Sequence, residues 1–165
     1  MKGATSPQPT HDPTGEIAPV HLTSNEREAA NRAEATALLI RTGFRVYRPE
    51  ADSYGEDLVV RSPRGGLHVV QLKARPTVDA KRYGGDLSIW MLFPDPAGSI
   101  PGRDWFLVPH SDLYHWVKTK HGNAPGWNDA WSYPGLSQAL RLYLEPYSHR
   151  NWTRAMPMDA NPGTP

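Results

Sequence analysis

The chain has 165 residues, of which 38% are hydrophobic and 21% are charged, and this composition favours one packed domain over a disordered protein or two separate domains. It contains no cysteine, so disulfides, thiolate zinc sites, iron–sulfur clusters and cysteine nucleophiles are excluded, and any metal must be held by oxygen or imidazole ligands. The formal net charge is +1, so binding to a polyanion would have to depend on local basic patches.

The two ends of the chain are rich in proline and show no hydrophobic period. We therefore expect disordered tails over residues 1–22 and 155–165, and one domain over residues 23–154. No segment approaches the roughly 18 consecutive apolar residues of a membrane span, and the first 15 residues lack the apolar run of a signal peptide. These features predict a cytoplasmic protein without a membrane partner.

Three helices are predicted. The first is capped by Thr23 or Ser24, continues through an alanine-rich run and ends before Gly43. A second helix is predicted over residues 111–120, with its first serine as the cap, and a third over residues 137–144.

Five short strands are predicted from runs of hydrophobic and β-branched residues bounded by turn residues. They cover residues 44–47, 58–61, 67–74, 87–93 and 105–108. The second and third are joined by a tight turn at residues 62–66, which predicts a hairpin. Strands between helices predict an α/β domain in which helices pack on a mixed sheet of about five strands.

Three polar residues stand on this predicted hairpin. Gln71 and Lys73 are two positions apart on the third strand, so their side chains point to the same face of the sheet. Burying an amide and an ammonium there without partners would cost several kcal/mol, so a partner is required. Asp57 stands at the start of the second strand, and the hairpin brings it to that face as the expected partner.

These motifs resemble the PD-(D/E)XK nuclease superfamily in their order and strand placement. The resemblance covers residues 24–76 and is strongest to members with Gln-x-Lys in the third strand, such as group I intron homing endonucleases, while the strand pattern is shared with Holliday junction resolvases. It is carried by a helix with an acidic residue, then by Gly43-Phe44-Arg45-Val46, Gly55-Glu56-Asp57-Leu58-Val59-Val60 and Val69-Val70-Gln71-Leu72-Lys73. The resemblance implies a restriction-endonuclease-like core and metal-dependent hydrolysis of DNA phosphodiester bonds.

The resemblance also implies roles for individual residues. Asp57 would be the principal ligand of Mg²⁺, with Gln71 as a neutral ligand through its side-chain carbonyl. Lys73 would orient or deprotonate the attacking water and offset the charge that develops on the phosphoryl group. Gln71 stands where most of the family has an acid, so the site loses one formal charge of attraction for the cation, and Mn²⁺ is a possible replacement.

The family also places an acidic metal ligand on the first helix. Glu34 is assigned to this role, because it shares a surface row with Ala30 and Ala37 at the edge of the face that turns toward the sheet. Glu26 and Glu28 remain alternatives, since they lie on other rows of the same helix.

DNA is the partner that the resemblance implies, and a homodimer is implied because one site cuts one strand. Basic residues flank the third strand and are expected to contact the phosphate backbone. They are Arg75, Lys81 and Arg82.

The alternative function is that of a catalytically inactive module that uses the same fold to bind nucleic acid or a protein, with the tryptophan-rich second half as its contact surface. Four aromatic residues of that half are expected to pack in the core rather than to stack on bases: Trp127, Trp131, Tyr133 and Tyr143. Three histidines show no metal-ligand spacing and are expected on the surface: His110, His115 and His121.

Overall fold

The computed structural model describes residues 22–51, 55–83, 89–98 and 101–152. Apart from Leu22, the two predicted tails lie outside these residues. No helix in the described ranges is both long and apolar enough to cross a membrane.

The predicted helices and strands occur in the predicted order along the chain, together with short elements that were not predicted. The α-helices are Ser24–Arg41 (α1), Ala80–Tyr83 (α2), His110–His121 (α3) and Gln138–Leu144 (α4), and a short 3₁₀ helix follows at Glu145–Tyr147. The strands are Arg45–Tyr47 (β1), Leu58–Arg61 (β2), Leu67–Leu72 (β3), Thr77–Asp79 (β4), Ile89–Asp95 (β5), Asp104–Pro109 (β6) and Ala130–Ser132 (β7).

Five strands form one mixed sheet in the order β1-β2-β3-β5-β6. β3 and β5 are parallel, whereas the other neighbours are antiparallel. The predicted α/β class with a mixed sheet of five strands flanked by helices is confirmed. β4 and β7 form a separate antiparallel pair that was not predicted, because these two short strands lie 55 positions apart and no hairpin turn joins them.

Helix α1 begins and ends at local signals. The side chain of Thr23 accepts a hydrogen bond from the Glu26 backbone, and the Glu26 carboxylate accepts one in return from the Thr23 backbone, which is a capping box. After the helix, Gly43 has φ +93°, a left-handed conformation that glycine adopts without strain. The chain then turns directly into β1.

Hydrophobic side chains cover both faces of the sheet. Along β5, Trp90 and Leu92 belong to the cluster that packs under α1, whereas Met91 and Phe93 belong to the cluster that packs under α3 and α4. All seven residues of β5 are buried, as expected for a central strand with both faces covered. The four aromatic residues of the second half are partly buried against the α3 and α4 cluster, in agreement with the expected core packing.

Two predictions about α3 were wrong. The helix begins at His110, one residue earlier than predicted, and its N-cap is Pro109 without any side-chain hydrogen bond, so Ser111 is not the cap. His110 is buried rather than on the surface, because β6 runs directly into the helix and its first turn faces the core. Its Nε2 accepts a hydrogen bond from the Asp79 backbone at 3.1 Å, so this side chain connects the end of β4 to α3.

Candidate functional site

Asp57 and Gln71 meet at the end of the sheet where β2 begins and β3 ends. The antiparallel register pairs Leu58 with Val70, so the preceding Asp57 stands opposite Gln71 and both side chains share one face. The Gln71 Nε2 donates a hydrogen bond to the Asp57 Oδ2, and the Leu72 backbone N–H donates to the same oxygen at 2.8 Å. This is the contact that the hairpin predicts.

Both the nitrogen and the oxygen of the Gln71 side-chain amide form hydrogen bonds. Its Nε2 also donates to the Leu72 carbonyl at 3.2 Å, and its Oε1 accepts a hydrogen bond from the Tyr83 hydroxyl at 3.2 Å. These contacts assign the amide nitrogen to the Asp57 side and the oxygen to the Tyr83 side. This orientation differs from the expected neutral metal ligand, because the carbonyl oxygen is directed at Tyr83 and the donor at Asp57.

Lys73 follows directly after β3 and lies on the same side as Gln71. Its backbone N–H donates to the Leu92 carbonyl at 2.9 Å, which extends the pairing with β5 by one residue. Its Nζ lies 5.8 Å from the centre of the Tyr83 ring, and the guanidinium of Arg82 lies 5.4 Å from the same centre. Gln71 and Lys73 therefore both stand beside Tyr83, which agrees with their predicted common face.

An open pocket of about 370 Å³ lies between the start of α1 and the end of β3. We call it the α1–β3 pocket, and it is lined by Ser24, Arg27, Glu28, Asn31, Leu72, Lys73 and Ala74. Glu28 is exposed and forms an ion pair with Arg32 at 2.7 Å. Of the three glutamates considered on α1, Glu28 is therefore the one that lines the same pocket as Lys73.

Glu34 does not line the α1–β3 pocket, and its carboxylate binds other side chains. One carboxylate oxygen accepts hydrogen bonds from Arg103 at 3.2 Å and from the indole of Trp105 at 2.8 Å, and the other forms an ion pair with Arg103 at 2.6 Å. Burial acts to raise the pKa of Glu34, but the hydrogen bonds from Arg103 and Trp105 and the positive charge of Arg103 outweigh it, so the pKa lies below its ordinary value. The structure thus gives Glu34 a structural partner, which the sequence could not indicate because Arg103 is distant along the chain.

The residues expected to contact DNA lie on the surface next to this site. Arg75 follows β3, whereas Lys81 and Arg82 belong to α2, and all three are exposed. Arg27 was not singled out from the sequence, although a basic residue between two glutamates in the first turn of α1 was a signal for it. Tyr83 was also missed, because an aromatic residue after a basic pair gives no indication of its partner.

The oxygen ligands at this site suit a hard divalent cation. Within residues 22–51, 55–83, 89–98 and 101–152, no three His, Asp or Glu side chains are grouped as a metal cluster. Asp57 supplies one carboxylate at the end of the β2–β3 hairpin, and Glu28 is an exposed carboxylate that lines the α1–β3 pocket with Lys73. Mg²⁺ commonly binds proteins through one or two carboxylates and keeps water in its other positions, so the Asp57 carboxylate fits a Mg²⁺ ligand.

The remaining histidines do not extend the site. Burial lowers the pKa of His110, against the opposing charge of Asp79, so the ring is kept neutral in the core. His115 is exposed, as expected, and His121 is half-buried and stacks on Trp131 with ring centres 4.5 Å apart.

Similarity to known proteins adds no assignment for this site. Comparisons with family models, with curated proteins and with solved structures find no match for this chain. Function must therefore be inferred from the contacts described above and from the sequence motifs.

Proposed function

We propose that this protein is a Mg²⁺-dependent endonuclease that hydrolyses DNA phosphodiester bonds, a divergent member of the PD-(D/E)XK superfamily. The supporting observation is the contact between Asp57 and Gln71 at the end of the β2–β3 hairpin, with Lys73 two residues further on at the wall of an open pocket. A carboxylate, an amide and an ammonium on adjacent strand ends match the motif order from which the resemblance was drawn.

Asp57 and Glu28 are the residues that would hold the cation, with Mn²⁺ as a possible replacement for Mg²⁺. When bound, the cation supplies Lewis acidity that polarises a phosphoryl oxygen and lowers the pKa of a water molecule. Gln71 and the Leu72 backbone hold one oxygen of Asp57 in place, so the carboxylate is oriented before the cation arrives.

Lys73 would act on the phosphate itself. Its ammonium offsets the negative charge that develops on the phosphoryl oxygens and orients the attacking water. Arg27 lines the same pocket and would bind a phosphate of the substrate. The three exposed basic residues near the end of β3 and in α2 would contact neighbouring phosphates: Arg75, Lys81 and Arg82.

Cleavage of supercoiled plasmid tests this proposal. The purified protein should nick or linearise the plasmid in Mg²⁺ or Mn²⁺ and be inactive in excess chelator. Asp57→Asn and Lys73→Ala should each lose at least ~100-fold in rate, since each removes a group that acts on the reacting phosphate. Lys118→Ala removes another lysine that lies over a tyrosine ring, on α3, and is the matched control. Cleavage by both site variants at the wild-type rate would rule out this site.

The second candidate function is binding of nucleic acid or of a protein without cleavage. It is favoured by one observation, namely that the Gln71 amide already donates a hydrogen bond to Asp57 where the family has a second acid. If no duplex, branched or single-stranded DNA or RNA is cut, while labelled DNA is retained in a gel shift, this second function is the correct one.

We propose a cytoplasmic setting and a homodimer for the cleavage of both strands. The dimer is proposed because one site cuts one strand, so two sites are needed for a double-strand break. Sedimentation of the protein with and without a short duplex would measure the number of subunits bound. A single subunit on the duplex, together with nicking alone, would contradict the dimer.

A further inference from the structure

Tyr83 is a buried residue at the centre of the candidate site. It is the last residue of α2 and is 2% exposed. Its hydroxyl donates to the Gln71 Oε1 at 3.2 Å, while the cationic groups of Lys73 and Arg82 lie 5.8 and 5.4 Å from its ring centre. One side chain thus adjoins three of the residues that the proposed function uses.

Two acceptors set the orientation of the Gln71 amide, and the Tyr83 hydroxyl anchors its oxygen. The amide nitrogen faces the Asp57 carboxylate and the Leu72 carbonyl. A rotation by half a turn would place the amide oxygen against both acceptors without a proton between them, which is repulsive. A hydroxyl can donate or accept, and in the observed orientation the Tyr83 hydroxyl donates to the Gln71 Oε1 and so fixes the position of that oxygen.

The backbone at Gly55 packs closely over this contact. Gly55 has φ +89°, and a Cβ built there would lie 3.0 Å from the Gln71 Oε1 and 3.1 Å from the Tyr83 Cε1. A side chain at this position would push the two groups apart and would also be strained by the positive φ. A residue without Cβ therefore allows the chain to enclose the hydrogen bond between Tyr83 and Gln71.

Tyr83 also packs against the first turn of α3. Its ring makes an edge-on contact with His110, with ring centres 5.3 Å apart, and His110 stacks in turn on Tyr114. His110 is anchored by the hydrogen bond from the Asp79 backbone. These aromatic contacts hold the Tyr83 ring in the core, so the position of the amide oxygen depends on α3 as well as on β3.

We propose that Tyr83 is a positioning residue: its hydroxyl anchors the oxygen end of the Gln71 amide, and this amide in turn holds the Asp57 carboxylate. In this role Gln71 serves as a hydrogen-bond donor to the metal-binding carboxylate instead of a metal ligand. The catalytic consequence rests on the proposed endonuclease function, whereas the anchoring of the amide does not.

Tyr83→Phe is the test variant, because it removes one oxygen and keeps the ring. We expect a reduction in kcat of about fivefold and a rise of about fivefold in the Mg²⁺ concentration for half-maximal rate, the range that loss of one hydrogen bond produces. The KM for DNA should be unchanged, since Tyr83 is buried. Tyr133→Phe is the control, because the Tyr133 hydroxyl is buried without a hydrogen-bond partner among the described residues, and this variant should behave as the wild type.

NMR of the Gln71 side-chain amide tests this anchoring independently of any enzymatic activity. Its two NH₂ resonances are identified by their absence from the spectrum of Gln71→Glu. In Tyr83→Phe, hydrogen exchange of this NH₂ group should accelerate about fivefold and its two shifts should move toward each other. Both resonances should remain in place in Tyr133→Phe.

The two measurements separate the possible failures. Unchanged amide exchange in a folded Tyr83→Phe protein would overturn the positioning role, and so would wild-type kcat and Mg²⁺ dependence in that variant when the wild type cleaves DNA. If the wild type cleaves nothing but the amide exchange responds as expected, the endonuclease function fails while the role of Tyr83 in holding Gln71 stands.

Discussion

At the scale of single residues, two glutamates six positions apart on α1 have different surroundings. Glu28 is exposed at the α1–β3 pocket, whereas Glu34 is bound by Arg103 and Trp105. The side chain of Arg103 is completely buried, so removal of the Glu34 charge leaves a buried cation without its ion-pair partner. Glu28 is therefore an exposed carboxylate at the pocket, paired with Arg32 on the helix surface, whereas Glu34 stabilises the fold.

Glu28→Gln should lower the cleavage rate but not the stability, whereas Glu34→Gln should lower the stability. Glu28→Gln should reduce the cleavage rate at least ~10-fold by removing a metal-binding charge, and should change the free energy of unfolding by less than about 0.5 kcal/mol, as surface substitutions do. Glu34→Gln should destabilise the protein by about 2 kcal/mol, the range for lost hydrogen bonds to charged groups. Urea denaturation measures the stability of each variant, and plasmid cleavage measures its rate. Loss of cleavage in Glu34→Gln without loss of stability would restore Glu34 as the metal ligand.

At the scale of secondary structure elements, α3 supports β4 through one side chain. The Nε2 of His110 accepts the hydrogen bond from the Asp79 backbone, so this nitrogen must be unprotonated for the contact to form. Burial lowers the pKa of His110 below its usual 6.5. The packing of the short β4–β7 pair on α3 therefore requires a neutral imidazole.

This contact predicts a pH dependence of stability. Because the pKa of His110 is lower in the folded state, the unfolded chain binds a proton first as the pH falls. The stability is complete above pH 6.5 and should decrease as the pH falls from 6.5 toward the lowered folded pKa. In His110→Gln, the melting temperature should lose the part of this pH dependence that His110 contributes and keep the part from His149, whose pKa burial also lowers. In the control His115→Gln, an exposed position, the full dependence should remain. An unchanged slope in His110→Gln would contradict the assignment.

The pairing of β1 with β2, at one edge of the sheet, brings two like charges together. Arg45 on β1 lies directly opposite Arg61 on β2, and both are exposed. Like charges that face each other across an antiparallel pair repel, and opposite charges attract. This position of the sheet therefore carries a small destabilisation that a single substitution can reverse.

Arg61→Glu should raise the free energy of unfolding by about 0.5 kcal/mol, since it converts this repulsion into an attraction across the strands. The gain should shrink in high salt, because exposed charges are screened. Urea titrations at low and high salt measure it, and Arg61→Gln is the neutral control with an intermediate stability. A loss of stability in Arg61→Glu at low salt would contradict the expected interaction.

At the scale of the whole molecule, Arg103 ties α1 to the connection between β5 and β6. Its guanidinium donates to Asn31 and Glu34 on α1 and to the backbone carbonyls of residues 96–98. It also lies over the Trp105 ring, 5.0 Å from the centre. Because α1 carries Glu28 and forms one wall of the pocket, the position of that wall depends on Arg103, which binds Asn31 in the same wall.

Arg103→Met should destabilise the protein by about 3 kcal/mol, because it removes one partner of a largely buried ion pair and leaves several acceptors without donors. Arg103→Lys should restore little of this loss, since an ammonium cannot reproduce the planar fork of a guanidinium. Arg41→Met, at the exposed end of the same helix, is the control. Calorimetric unfolding measures all three, and full stability in Arg103→Lys would show that charge alone suffices.

The sequence by itself determined the elements whose signals are local. The capping signal at Thr23 or Ser24 and the terminating Gly43 defined α1, with Thr23 as the cap in the structure, and runs of hydrophobic residues located the five strands of the main sheet. The contact of Asp57 with Gln71 was predictable for the same reason, because a hairpin with a short turn sets its register within a few residues.

The tertiary structure alone decided which partners the polar side chains have. The hydrogen bond from Tyr83 to Gln71 joins residues on separate elements, and the bond of Glu34 with Arg103 joins residues 69 positions apart. The burial of His110 likewise follows from how α3 packs on the sheet. Hydrophobic periodicity records which face of an element is buried, whereas the partner of a polar group depends on packing between distant segments, for which a single sequence carries no local pattern.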